Sequence, residues 1–282
     1  MRTNTKTKGS RLNAKVWNFV VLAFSLYSSA FAQGQRRNFF VVPPPATSAP
    51  AFSPTNIAGV QNLSWWVADN ITGTNSGGSI SNWADAGASP MPLTNLAAST
   101  SWPVISNSFL NGHAIAHFDG VADYMKSVNY TSAQPHEVII VANWWGASAL
   151  DYYFDGIDAT KHHYLRYNPP FLAFKGGTDQ NVTPTLPFNQ WWIIDVLFNG
   201  TSSGVFTNNV SIGPRNAGTV VNQGIVLGAI GAVNGYYGPI DVAEVLTYGG
   251  TLGTVDTAGT FATSADRTAI YSYLTNKYNI AP

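Results

Sequence analysis

Few side chains in this sequence can do acid, base, nucleophilic or metal chemistry. Glu137 and Glu244 are its two glutamates, cysteine is absent, and there are five histidines. Cleavage of a glycosidic bond by paired carboxylates needs two acids converging on that bond. Asp241 and Glu244 are the nearest such pair in an apolar segment, but three positions along a strand predict opposite faces. No Gly-x-Ser-x-Gly elbow is present to hold a serine nucleophile. His162 and His163 are adjacent, so a strand would point them apart, and no third nearby ligand completes a transition-metal set. His113, His117 and His136 fall in strand-like segments and read as structural. The sequence therefore nominates no catalytic residue and reads as a binding or surface module before it reads as an enzyme.

Oxygen ligands are more plentiful. Asp151, Asp155 and Asp158 crowd one short segment, and Asp119 precedes Gly120 with Asp123 close behind. Hard cations take several carboxylate and carbonyl oxygens from loops, so these four, Asp119, Asp151, Asp155 and Asp158, are the candidate ligands for calcium. No cofactor is required by the sequence, and calcium is the single candidate. The Asp119-Gly120 pair is also ordinary turn chemistry, which is the stronger reading there.

Aromatic residues are in excess and come in adjacent pairs: Trp65-Trp66, Trp144-Trp145, Trp191-Trp192, Tyr152-Tyr153 and Tyr236-Tyr237. In a strand, neighbours face opposite ways, so one ring of each pair enters the core and the other lies on the reverse face. An exposed ring meets the C–H face of a sugar, and nearby amides and carboxylates bond its hydroxyls. Asn143, Trp145, Asp151, Tyr153 and Asn168 form the cluster expected to bind such a ligand.

The elements that must position these residues are mostly strands. From Asn56 onward, short apolar runs alternate with Gly, Asn, Ser, Thr and Pro. Val138 to Val141 and Trp191 to Phe198 are apolar almost throughout, which predicts central strands covered on both faces. One segment, Ser264 to Tyr278, is helical, with Ser264 as cap and Ile270, Tyr271, Leu274 and Tyr278 on one face. No repeat of propeller or solenoid type is visible. The predicted fold is all-β, a two-sheet antiparallel jelly-roll sandwich with one short C-terminal helix, over residues 56–282.

Upstream, Arg2, Lys6, Lys8, Arg11 and Lys15 precede an apolar stretch from Val16 to Tyr27 and a small-x-small site at Ala30-Phe31-Ala32. This reads as a secretory signal over residues 1–32. The apolar run is shorter than the roughly 20 residues a spanning helix needs, so no membrane span is expected after cleavage. Residues 33–55, with Pro43-Pro44-Pro45, Pro50 and Pro54, read as an extended linker in which Phe39 to Val42 could form a docked edge strand. Five of the fourteen basic residues leave with the signal while all fourteen acidic ones stay, so residues 33–282 carry a formal charge of −5. The remaining Lys and Arg are scattered, which argues against a nucleic-acid partner. Export without cysteine means that the core alone must hold the domain.

The order of local patterns resembles bacterial concanavalin A-like lectin/glucanase domains, in particular laminin G-like ones. The segments that carry the resemblance are Leu63 to Asp69, Ile80 to Asp85, Leu110 to Met125 with Phe118-Asp119-Gly120 and Asp123-Tyr124, Trp191 to Gly200, and Tyr237 to Tyr248. The closely spaced Glu-x-Asp-x-x-Glu of the glucanases in that superfamily is missing here. The resemblance implies a jelly roll and leaves function to the site. The reading that follows is a secreted or cell-surface carbohydrate-binding or adhesion module with a glycan partner. Its alternatives are a structural surface or matrix protein that self-associates, and a glycan hydrolase or lyase with an atypical site.

Overall fold

A computed structural model describes residues 52–57, 60–87, 90–146, 150–158, 160–183, 186–233, 235–253 and 265–281. The expected signal, the linker as far as residue 51, and the cap Ser264 lie outside the described residues.

Sixteen strands and one α-helix are described. In chain order they begin with β1 Gln61–Val67, β2 Asn82–Trp83, β3 Leu93–Thr94, β4 Val104–Leu110, β5 His113–His117 and β6 Met125–Lys126. Next come β7 His136–Trp144, β8 Tyr152–Asp155, β9 His163–Asn168, β10 Phe171–Gly176 and β11 Asp179–Val182. The series ends with β12 Trp191–Phe198, β13 Ser203–Thr207, β14 Val210–Arg215, β15 Val226–Leu227, β16 Ile240–Gly249 and the helix α1 Ala265–Tyr278. One sheet runs β14-β13-β12-β7-β16-β5-β4, with β1 also paired to β16; the other runs β11-β10-β9-β8-β15-β6-β3-β2. The pairings are antiparallel and neither sheet closes into a barrel, as the sequence pattern predicts.

Alternation along each strand builds two apolar layers. From β7, Val138, Ile140, Ala142 and Trp144 enter the core between the sheets, where Phe154, Leu165, Leu172 and Phe174 face them from the second sheet. Ile139 and Val141 point the other way, onto Ile270, Tyr271, Leu274 and Tyr278 of α1. β7 is therefore buried along its whole length, between β12 and β16. The aromatic pairs divide as alternation requires: Trp66, Trp144, Trp192 and Tyr153 lie on the inter-sheet side, and Trp65 and Trp191 on the helix side.

Buried charge fastens the helix. Arg267 lies on its apolar face with no exposed side-chain surface, bonded through Nη2 to Glu137 and through Nε to Asp195 Oδ2 at 3.0 Å. Its guanidinium also sits 4.2 Å above the Phe206 ring. Glu244, equally buried, accepts Trp65 Nε1 at 2.6 Å, Tyr278 Oη at 2.7 Å, Lys277 Nζ at 2.8 Å and Tyr273 Oη at 3.1 Å. A carboxylate with all these donors is stable in the interior, and its role is to anchor the helix and β1 to the sheet.

Two features depart from the sequence reading. A bulge between Val242 and Glu244 inserts one residue into β16, so Asp241 and Glu244 share the helix-side face instead of facing apart. Strands β4, β11 and β14 were not legible, because they lie at sheet edges and carry polar runs such as Ser106-Asn107-Ser108 and Asp179-Gln180-Asn181.

Candidate functional site

Beyond the helix, the helix-side face of the first sheet carries a polar and aromatic row across four strands. Trp191 on β12 stands opposite Asn143 on β7, Asn143 opposite Asp241 on β16, and Asp241 opposite His117 on β5. Residues paired across an antiparallel ladder project to the same face, so the four side chains form one line. His117 Nδ1 lies 2.6 Å from Asp241 Oδ1, and Asn143 Nδ2 donates to Asp241 Oδ2 at 3.2 Å. Trp145, one residue past the end of β7, stacks on the His117 ring with centroids 5.0 Å apart and planes 18° apart.

Loop contacts fix this geometry. Trp145 N donates to Pro239 O at 3.1 Å, and Phe118 N to Ile240 O at 2.8 Å, tying the ends of β7 and β5 to the start of β16. Gly120 adopts φ +70°, and a Cβ there would fall 2.8 Å from Pro239 Cβ, so glycine lets the loop after β5 close over Pro239. Asp119 Oδ1 accepts the N–H groups of Val121, Ala122 and Asp123, while Asp123 Oδ2 accepts Asp119 N at 2.9 Å. The Phe118-Asp119-Gly120 segment is thus a self-closed turn, with Phe118 in the core.

The electrostatics of the row follow from those contacts. A carboxylate only accepts, so Nδ1–H of His117 donates to Asp241, and Nε2 is the ring nitrogen without a partner among the described residues. That hydrogen bond raises the His117 pKa above its usual 6.5; burial opposes it, and the charges of Asp241, Asp123 and Asp119 reinforce it. Burial lifts the Asp123 carboxyl to about 6, against the Asp119 N–H bond that lowers it. Burial also pushes Asp119 upward, but the backbone donors of Ala122, Val121 and Asp123 together hold it below the ordinary carboxylate value. The His117 side chain is 37% exposed, and the Asp241 side chain beside it 7%. Chemically, the row offers the exposed His117 imidazole and half-buried indole faces, with the Asn143 amide and the Asp241 carboxylate buried beneath them.

The structure brings together two of the five expected ligand residues, Asn143 and Trp145. Tyr153 is in the core, 1% exposed, its ring centroid 4.3 Å from that of Trp144, so it presents no face to a ligand. Asp151 is 1% exposed, and its carbonyl accepts Tyr167 N. Asn168 lies on the outer face of the second sheet, bonded to Asn181 Oδ1 at 3.2 Å.

The four expected calcium ligands do not converge. Asp155 Oδ1 accepts Gly156 N and His163 N; its Oδ2 accepts Gly231 N and bonds His162 Nδ1. Asp158 Oδ1 is taken by the N–H and hydroxyl of Thr160, and Asp119 by its own turn. Among the described residues, no group of three or more His, Cys, Asp and Glu is placed to hold a metal ion.

His117, Asp241 and Trp191 escaped the sequence reading. Their signal was a polar residue at an alternate position of an apolar strand, as in His113-x-Ile115-x-His117 and Val141-x-Asn143-x-Trp145. Which strands would be neighbours, and hence which polar residues would align, is set by register alone.

No protein-family model matches this chain, and no curated protein sequence matches it. Among solved structures, it is similar to a Trypanosoma rangeli sialidase in complex with sialic acid, with TM-score 0.52 and 8% identity over 81% of this chain and 35% of that one. The same sialidase as its covalent intermediate with 2,3-difluorosialic acid gives 0.51 and 9%, over 81% and 35%. Domain 4 of a GH43 extracellular arabinanase from Geobacillus stearothermophilus, in complex with arabinotriose, gives 0.42 and 13%, over 74% of this chain and 98% of that one. The chain thus spans about a third of the sialidase, and the likeness to it is one of fold.

Proposed function

We propose that this protein is a secreted, non-catalytic glycan-binding module of the concanavalin A-like, laminin G-like kind. In this reading residues 1–32 are removed on export, residues 33–55 tether the domain, and a neutral sugar lies on the row Trp191, Asn143, Asp241 and His117 beside Trp145. The row itself is the observation that carries the proposal: an indole face next to an exposed imidazole, above a buried amide and carboxylate, suits the apolar face and the hydroxyls of a pyranose. Asn143 Oδ1 and Trp145 Nε1 have no hydrogen-bond partner among the described residues, a deficit that a hydroxyl-rich ligand relieves once these side chains readjust. The carboxylates of Asp119, Asp123 and Asp241 around His117 favour an uncharged sugar over an anionic one. The fold shared with a sialidase solved with sialic acid fits a glycan role without assigning a ligand.

A hydrolytic reading has one observation in its favour: the His117–Asp241 pair lies near Asp123, whose carboxyl titrates at about 6, in the range of a general acid. Retention of the purified protein on a panel of insoluble and gel-embedded neutral polysaccharides, with product analysis of each retained polymer, separates the two. Retention without products supports the binding module, and soluble oligosaccharides move the protein to the hydrolases. Absence of retention on every polymer, with concentration-dependent assembly in solution, would give precedence to a self-associating structural role.

A further inference from the structure

The outer face of the second sheet has the opposite chemistry. Tyr152, Arg166, Ala173 and Asn181 are register neighbours across β8, β9, β10 and β11, and Tyr164, Lys175 and Asp179 form the next row. The Arg166 guanidinium lies 4.7 Å from the Tyr164 ring centroid and 5.7 Å from that of Tyr152, and Lys175 Nζ lies 5.9 Å from Tyr164. Both cations turn toward one carboxylate, Asp179, at 3.5 Å and 3.9 Å, and that side chain is 54% exposed. The other bond of Arg166, from Nη1 to the Tyr152 hydroxyl, is 3.3 Å long, and its buried Nε has no partner among the described residues. Among the described residues this guanidinium, 16% exposed, is oriented by two rings and makes no hydrogen bond inside the usual range of about 2.7–3.2 Å, so it is positioned before it is satisfied.

We propose that this face binds the carboxylate of an acidic polysaccharide, which displaces Asp179 and takes paired hydrogen bonds from Arg166 with Lys175 alongside. A guanidinium meets a carboxylate through two parallel N–H bonds, and the loosely held Asp179 occupies the place of the incoming group. Tyr236, 52% exposed with its ring 6.4 Å from that of Tyr152, supplies an aromatic surface for the sugar that carries the acid. The site is independent of the row on the first sheet and stands whether or not that row binds a sugar.

The test is affinity electrophoresis of the full chain in gels containing polygalacturonate or uncharged dextran, at low and at high salt. Wild type is expected to be retarded by polygalacturonate and not by dextran, with retardation weakening as salt rises. Arg166→Gln should lose about tenfold or more in affinity. Asp179→Asn, which removes the competing carboxylate, should bind several-fold tighter, a gain that misfolding does not produce. Asp266→Asn makes the same change of net charge on α1 and should bind like wild type. Competition by free galacturonate would show that the carboxylate is read by itself, whereas binding of polymer alone would show that the neighbouring rings contribute. No retardation by polygalacturonate, or equal affinity of wild type, Arg166→Gln and Asp179→Asn, would overturn the proposal.

Discussion

Trp145 and Tyr153 looked alike in the sequence, and the structure gives them different work. Tyr153 fills the core against Trp144, so Tyr153→Ala should destabilise the fold by about 3–5 kcal/mol in chemical denaturation. Trp145 is half-buried at the row, so Trp145→Ala should be the milder change for stability and the more severe for glycan retention. If the two variants lose retention only in proportion to their stability, Trp145 has no binding role. His117 gives a second check. Its pKa is raised first by the Asp241 hydrogen bond, so Asp241→Asn should lower it, read from the imidazole proton shifts across a pH titration. An unchanged midpoint would mean that the pair is not formed in solution.

At the scale of elements, the terminal helix shows what sequence patterns do and do not reveal. Its apolar face, Ile270, Tyr271, Leu274 and Tyr278, follows from helical spacing alone. Arg267 on that same face could not be placed, because its partners Glu137 and Asp195 are 130 and 72 residues away in sequence. Burial, with the neighbouring charge of Glu137, drives Asp195 toward its neutral form, and Arg267 opposes this. Arg267→Met should therefore cost about 3–5 kcal/mol by leaving two buried acids without their cation. Replacing Arg267, Glu137 and Asp195 together by apolar residues of similar volume should recover most of that loss; failure to recover it in denaturation curves would show that the triad contributes more than its own neutralisation. The central strands β7 and β12 were legible for the same reason as the helix face, since burial on two sides leaves a continuous apolar run. The edge strands and the bulge in β16 were not, because pairing partners and inserted residues leave no periodic trace.

For the whole molecule, acid sensitivity follows from a buried pair of histidines. His136 and His163 stack in the interior with ring centroids 4.8 Å apart and Phe198 against both. Burial lowers His163 from 6.5 to about 4, and burial with the neighbouring His163 holds His136 well below its usual value. Unfolded histidine takes up protons below 6.5 while the folded pair resists them, so stability should fall as pH drops from 6.5 toward 4 and be unaffected by this pair above 6.5. A melting temperature that stays flat across that window would contradict the assignment. Two faces with different chemistry thus stand on one sandwich, the first of them proposed to hold a neutral sugar. Sugar binding on that face is read by following the imidazole NMR signals of His113, His117, His136, His162 and His163 while titrating in a neutral oligosaccharide cut from a retained polymer. A sugar seated on this row should shift His117 in a saturable way and leave His162, which immediately precedes β9 of the second sheet, unmoved. Saturable binding that leaves His117 unmoved would place the sugar elsewhere and contradict the proposal.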